Sequence, residues 1–178
     1  DNDWKRYTEA MSELADTNIY IEDDASVTAP EIKAKCRRLA SSPKGLGLVV
    51  IDYLQLVTTG GRVESRQVEV SEISRSLKIM AKELDVPVLV LSQLSRGTES
   101  RKDHRPMLSD LRDSGSIEQD ADIVMMLYRE GYYKNSAQNA DEIDMTQADV
   151  DIAKNRHGPT ERVKLHWDAQ YTLFSTLE

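Results

Sequence analysis

Asp52 closes an unbroken apolar run, Leu48-Val49-Val50-Ile51. A carboxylate in that position cannot sit in a core without a partner. In open parallel sheets, ligands collect beyond the carboxyl ends of the strands. An aspartate there is placed to hold a magnesium ion on the β- and γ-phosphates of a nucleoside triphosphate. The plainer reading is an aspartate capping the next turn, so Asp52 needs support from elsewhere in the chain. Gln93 supplies it. Val88-Leu89-Val90-Leu91 is a second apolar run, and it ends in the polar pair Ser92-Gln93. A glutamine amide at a strand end can orient a water or sense a γ-phosphate. By itself this pair would read as a loop bonding its own backbone. Two such strands joined by one helix favour function.

Two basic stretches are further candidates. Residues 95–112 carry Arg96, Arg101, Lys102, Arg105 and Arg112 against Glu99, Asp103 and Asp110. Such a run is usually a solvated surface. Its functional reading is contact with the phosphates of a nucleic-acid strand, without base stacking, because the stretch has no aromatic residue. In Ala153-Lys154-Asn155-Arg156-His157-Gly158-Pro159, two cations lie two apart where a strand meets a turn. They suit a phosphate held by another subunit, although a charged hairpin tip is the commoner meaning. His104, His157 and His166 are scattered, and no Cys/His cluster has zinc-ligand spacing. None of the eight glycines lies in a G-x-x-x-x-G-K-[ST] loop. No strand-ending glutamate precedes Asp52 to act as a catalytic base.

The elements that must position these residues follow from periodicity. Trp4, Tyr7, Met11 and Leu14 recur at helical spacing, and Asn18-Ile19-Tyr20-Ile21 is extended. Thr28 with Glu31 forms a capping box, with Pro30 in the first turn, and opens a helix through Ile32, Cys36 and Leu39. Val70, Ile73, Leu77, Met80 and Leu84 mark a long helix between the two apolar strands. Continuous apolar strands are the habit of parallel sheets buried on both faces. Strand, helix, strand is then a right-handed crossover. A short helix near Ile117-Glu118-Gln119 leads to a third buried strand over residues 123–127, and the polar stretch 132–145 reads as a flexible loop. Val150-Ile152, Val163-Leu165-Trp167 and Tyr171-Leu173 alternate with polar residues as antiparallel hairpin strands do. The whole reads as a single domain over residues 1–178.

Composition sets the outer limits. Hydrophobic content of 39% beside 30% charge fits a globular chain. A net charge of −8 argues against a general nucleic-acid sponge but leaves room for a local basic groove. The single Cys36 cannot close an internal disulfide, so a reducing compartment fits. No apolar run is long enough to span a membrane. These features predict a cytoplasmic protein.

In order along the chain, LVVIDYLQL, VSEISRSLKIMAKEL, VPVLVLSQLSR, RPMLSDLRDSGSIEQDADIVMMLYR and AKNRHGPT resemble the C-terminal part of the motor domain of DnaB-type replicative DNA helicases. The resemblance covers nearly the whole chain and is strongest from Leu46 to Arg129. It implies an α/β fold: a RecA-like P-loop NTPase core, mainly parallel, with helices on both faces and an antiparallel C-terminal extension. It implies ATP and Mg2+ as cofactors, with Asp52 as the Walker B magnesium ligand, acting through water, and Gln93 as γ-phosphate sensor. It makes Arg112, Asp113 and Gly115 contacts to single-stranded DNA. The family usually has glutamate at the place of Asp113, whose side chain is one methylene shorter. Lys154 and Arg156 become the pair that reaches a neighbouring subunit's nucleotide, with Asn155 and His157 departing from the commonest residues there. A homo-oligomer, a ring of six, is implied, with primase and a helicase loader as candidate partners at the replication fork, and no membrane. The phosphate-binding loop is expected upstream of Asp1, and these 178 residues alone are expected to be inactive. Two alternatives stand beside this reading. One is a recombinase or clock-type ATPase of the same superfamily. The other is a non-catalytic truncated motor half that serves as an interaction module.

Overall fold

The computed structural model describes residues 2–24, 26–134 and 144–177. The side chains of Arg112, Asp113, Ser114 and Lys134 lie outside that description. Helix α1 (Asn2–Ala15) is exposed along its length. Helix α2 (Ala29–Ala40) begins at the predicted capping box. The Thr28 side chain accepts from the Glu31 N–H, and Glu31 Oε2 accepts from the Thr28 N–H at 2.8 Å. The first apolar run forms β1 (Val49–Ile51), followed by a single 3-10 turn (Leu54–Leu56). Helix α3 (Arg66–Leu84) starts at an N-cap, Ser65, and ends at Asp85 in the left-handed region. It leads to β2 (Val88–Val90), which pairs parallel to β1 with Val50 opposite Leu89. The predicted strand–helix–strand crossover is therefore present.

Helix α3 explains why this unit holds together. Its stripe of Val70, Ile73, Leu77 and Met80 is buried among Ile51, Leu54, Val57, Ala29 and Cys36. Burying each such side chain stabilises the fold by about 1.5–3 kcal/mol. At the far side, α4 (Gly115–Asp120) precedes β3 (Ile123–Tyr128) and the short α5 (Glu130–Lys134). Strands β4 (Gln147–Asn155), β5 (Arg162–Asp168) and β6 (Leu173–Thr176) complete an antiparallel sheet in the order β3-β4-β5-β6. Leu111, Val124 and Met126 form its own small core.

Three expectations change. The apolar strands are covered on one face, not two: Leu48, Val50, Leu89, Leu91, Ile123, Met125 and Leu127 are each 42–54% exposed. An apolar run shows that both faces avoid water; it does not supply the segment that covers each. The third strand, β3, is hydrogen-bonded to β4 in antiparallel fashion and belongs to a sheet separate from β1-β2. Of the stretch read as a flexible loop, residues 132–134 close α5 and residues 135–143 lie outside the described residues. No helix among the described residues is long and apolar enough to cross a membrane.

Candidate functional site

The β1–β2 pairing brings the first two candidates to one end of one small sheet. Ile51 lies opposite Val90, so Asp52 and Leu91 leave the strands together. The Leu91 N–H donates to Ile51 O at 2.9 Å, and the Leu54 N–H donates to Leu91 O at 2.9 Å. These bonds fix the Asp52 turn against the Ser92-Gln93 turn. Asp52 is exposed, and its carboxylate has no hydrogen-bond or ion-pair partner among the described residues. No cluster of three or more metal-ligating side chains occurs among them. Magnesium keeps several waters and is held by one or two carboxylates plus substrate phosphates. A lone, unpaired carboxylate at a strand end fits that donor set, with nucleotide oxygens and water completing it. It does not fit a metal held by protein alone.

Gln55 carries no mark in the sequence, yet it belongs to this site. Its side chain reaches across to the second strand: Oε1 accepts the Gln93 N–H at 3.2 Å, and Nε2 donates to Ser92 Oγ at 3.1 Å and Gln93 O at 3.3 Å. The backbone of Gln55 is held in turn by Arg66 Nη2, which donates to Gln55 O at 2.7 Å. A glutamine inside an apolar turn gives no local signal of this kind. Its partners are 37 and 38 residues away and depend on strand register.

The basic stretch is more structural than its composition suggests. Arg101 pairs with the buried Asp110 and donates to Arg105 O at 2.7 Å. Arg105 pairs with the buried Asp149 at 2.6 Å and lies over the Tyr128 ring, 4.2 Å from its centroid. Arg101 braces the loop internally, and Arg105 fastens it to β3 and β4. The Arg101 guanidinium, aided by the Met107 N–H, holds the Asp110 carboxyl below its usual range, although burial opposes this. Arg96 and Lys102 remain exposed. The side chains of Arg112 and Asp113, two of the three expected DNA contacts, lie outside the described residues. Their backbone runs through a 3-10 turn (Leu108–Ser114) into α4, whose first residue is the third, Gly115. A Cβ at Gly115 would meet open space, and its φ of −50° is ordinary for any residue.

Lys154 and Arg156 lie at the other end of the same helix. The register shifts between Val124 and Met125, leaving Ala153 as an extra residue in β4. Such a bulge re-aims the side chains that follow it. Lys154 Nζ donates to Glu118 O at 2.5 Å, and Arg156 Nη2 donates to Gln119 O at 2.6 Å. Cations on the last carbonyls of a helix are favoured by its dipole. Arg156 also approaches Asp122 at 3.4 Å, and Asp122 is paired with Lys78 of α3. Lys78, first, and then Arg156 keep the Asp122 carboxyl below its usual range. Helix α3 is the common scaffold: it joins β1 to β2 and holds the end of α4 through Ser74 to Asp120, at 3.0 Å, and Lys78 to Asp122. Asn155 ties the following turn, accepting from the His157 N–H at 3.2 Å and donating to Pro159 O at 3.2 Å. A Cβ on Gly158 would meet Asn155 Nδ2 at 2.8 Å, so a side chain there would push the Asn155 amide aside.

A parallel β–α–β unit with an acidic strand end beside a glutamine strand end, followed by an antiparallel sheet, matches the architecture of a RecA-like fold. Comparison with known proteins makes the assignment specific. A family model for the DnaB-like helicase C-terminal domain matches residues 1–176, and the chain belongs to that family. It is 53% identical over 177 residues to the replicative DNA helicase DnaB of Geobacillus stearothermophilus, covering 99% of this chain and 38% of that protein. It is 51% identical over 179 residues to the replicative DNA helicase DnaC of Bacillus subtilis (strain 168), covering 100% of this chain and 38% of that one. Among solved structures, a DnaB-like replicative helicase, described with its primase interactions, matches with a TM-score of 0.90 and 44% identity, covering 100% of this chain and 42% of that one. A solved ATPase domain also matches with a TM-score of 0.90 and 44% identity, covering 100% of this chain and 61% of that one. The chain thus spans well under half the length of these curated relatives, and the RecA-like fold expectation is borne out.

Proposed function

We propose that this chain is the C-terminal part of a replicative helicase motor that couples ATP hydrolysis at subunit interfaces to movement along single-stranded DNA, and so separates the duplex. The observation that carries this reading is the placement of two candidate pairs on one scaffold. Asp52 and Gln93 lie at one end of the β1–β2 sheet, while Lys154 and Arg156 meet at the end of α4. Asp52 contributes a magnesium ligand, and the Gln93 amide senses the terminal phosphate. Magnesium with ATP supplies charge neutralisation at the transferred phosphoryl group. Lys154 and Arg156 reach the nucleotide of an adjacent subunit. A catalytic edge and a finger edge on one subunit require head-to-tail contact, and such contacts close into rings. A hexamer in the cytoplasm is the assembly proposed, with primase and a loader as partners.

The phosphate-binding loop is proposed to lie upstream of Asp1, and to be joined to a segment covering the open apolar face of β1 and β2. Accordingly, the purified 178-residue chain is expected to show no ATP turnover above background in a phosphate-release assay. Turnover that Asp52→Ala removes would show that the chain has a complete site of its own.

Gly115 supports the DNA reading, because neither space nor dihedral angle in this fold demands glycine there. Close approach of a ligand's backbone is one use of a residue without Cβ. In the full-length protein, Arg112→Ala is expected to weaken single-stranded DNA binding and to make the log–log salt slope shallower by roughly one. Fluorescence anisotropy across a salt series reads this, and an unchanged slope argues against a phosphate contact. The function itself is tested by fork substrates: strand separation without strand exchange supports a helicase, and strand exchange supports a recombinase.

A further inference from the structure

We infer that Gln55 is a positioning residue that locks the main chain of Gln93 to the turn carrying Asp52, so that the two strand ends respond as one. The inference rests on the proposed role of Gln93 as sensor. The regular β1–β2 register runs as far as Ile51 opposite Val90. Beyond it, the Gln55 carboxamide takes the place of another rung. Its Oε1 accepts from the Gln93 N–H at 3.2 Å, as a strand carbonyl would, and its Nε2 donates to Gln93 O at 3.3 Å, as a strand N–H would. The additional donation to Ser92 Oγ at 3.1 Å fixes the rotamer.

Few side chains can do this. Glutamate has no donor for Gln93 O or Ser92 Oγ, asparagine is one methylene short, and leucine or methionine fills the space without either bond. The clasp is also anchored from behind. Arg66, in the first turn of α3, donates to Gln55 O at 2.7 Å and is paired with Glu69. Glu69 Oε1 accepts the Thr59 N–H at 3.2 Å, which closes the loop between the Asp52 turn and α3. The Gln93 main chain is therefore held on both its N–H and its carbonyl, while its side chain is exposed and has no hydrogen-bond partner among the described residues. That is the arrangement a sensor needs: a fixed pivot and a free amide. Movement at Gln93 must pull on Gln55, three residues beyond the magnesium ligand.

The test compares full-length wild type, Gln55→Ala, the near-isosteric Gln55→Met and Gln93→Ala. ATP KM and kcat are measured with and without single-stranded DNA, together with Tm. In both Gln55 variants, the ratio of turnover with DNA to turnover without it is expected to fall about tenfold, while KM for ATP moves less than about twofold. Gln55→Met keeps the packing and serves if Gln55→Ala does not fold. Wild-type stimulation in Gln55→Met beside lost stimulation in Gln93→Ala overturns the positioning role and leaves the sensor standing. Equal losses with and without DNA, tracking a lowered Tm, reduce Gln55 to a fold support and also overturn it. Full stimulation in Gln93→Ala removes the sensor reading, and this inference falls with it.

Discussion

Asp52→Asn in the full-length protein is expected to lower ATP turnover by about 10^2–10^3-fold while the ring still assembles. The size follows from the charge removed. A metal that polarises a phosphoryl group is worth several kcal/mol of transition-state stabilisation, and each ~1.4 kcal/mol is a factor of ten. Asparagine keeps the shape of the side chain and loses the anionic ligand. The fold has little stake in that charge, because the Asp52 carboxylate is exposed and makes no ion pair among the described residues. Tm is therefore expected to remain near wild type, or to rise slightly with one less acidic group. A parallel loss of stability would make Asp52 a structural turn residue. Turnover near wild type would remove it from the site.

The second large effect is expected from Arg156→Ala. A guanidinium supplied from a neighbour to a transferred phosphoryl group is worth about 10^3–10^5 in kcat. In the single chain this side chain rests on Gln119 O and Asp122, which gives it a defined place when no neighbour's nucleotide is present. These contacts are exposed ones, and exposed ion pairs contribute roughly 0–1 kcal/mol, so the finger can leave them at small cost. Nucleotide binding should persist in Arg156→Ala, with KM changing far less than kcat. Wild-type kcat in that variant would remove the finger assignment. Lost nucleotide binding with intact chemistry would turn it into a simple binding contact.

Asp52 and Gln93 are legible in the sequence because each follows an apolar run, and strand ends of parallel sheets are where ligands collect. The capping box at Thr28 and the buried stripe of α3 are legible because both signals are local, spanning one or a few helical turns. What does not show is everything set by distant pairing. Arg101 and Arg105 read as a phosphate-seeking cluster, yet their partners, Asp110 and Asp149, are nine and forty-four residues away. Gln55 is invisible for the same reason. The direction of β3 is also illegible, since an apolar strand looks alike whether its neighbour runs parallel or antiparallel. The bulge that re-aims Lys154 leaves no mark in composition.

Gly115 and Arg156 gain meaning from sharing α4. The helix begins at the expected DNA contact and ends at the carbonyl groups that hold Lys154 and Arg156. Its far end is fastened to α3, which also connects β1 and β2. One short element therefore lies between the proposed DNA contact and the proposed finger, and one long helix links both to the strands that carry Asp52 and Gln93.

Each active site is proposed to be shared between two subunits. This is tested by mixing two inactive full-length variants, Asp52→Asn and Arg156→Ala, and measuring ATP turnover of the re-assembled rings. An interface formed by Asp52 of one subunit and Arg156 of the next is intact wherever the two variants meet in the right order. Random mixing at equal amounts then restores about a quarter of the interfaces. Recovery toward that level is the result expected. Turnover that stays at the mean of the two separate variants would contradict a shared site and place both residues in the service of one subunit's own nucleotide.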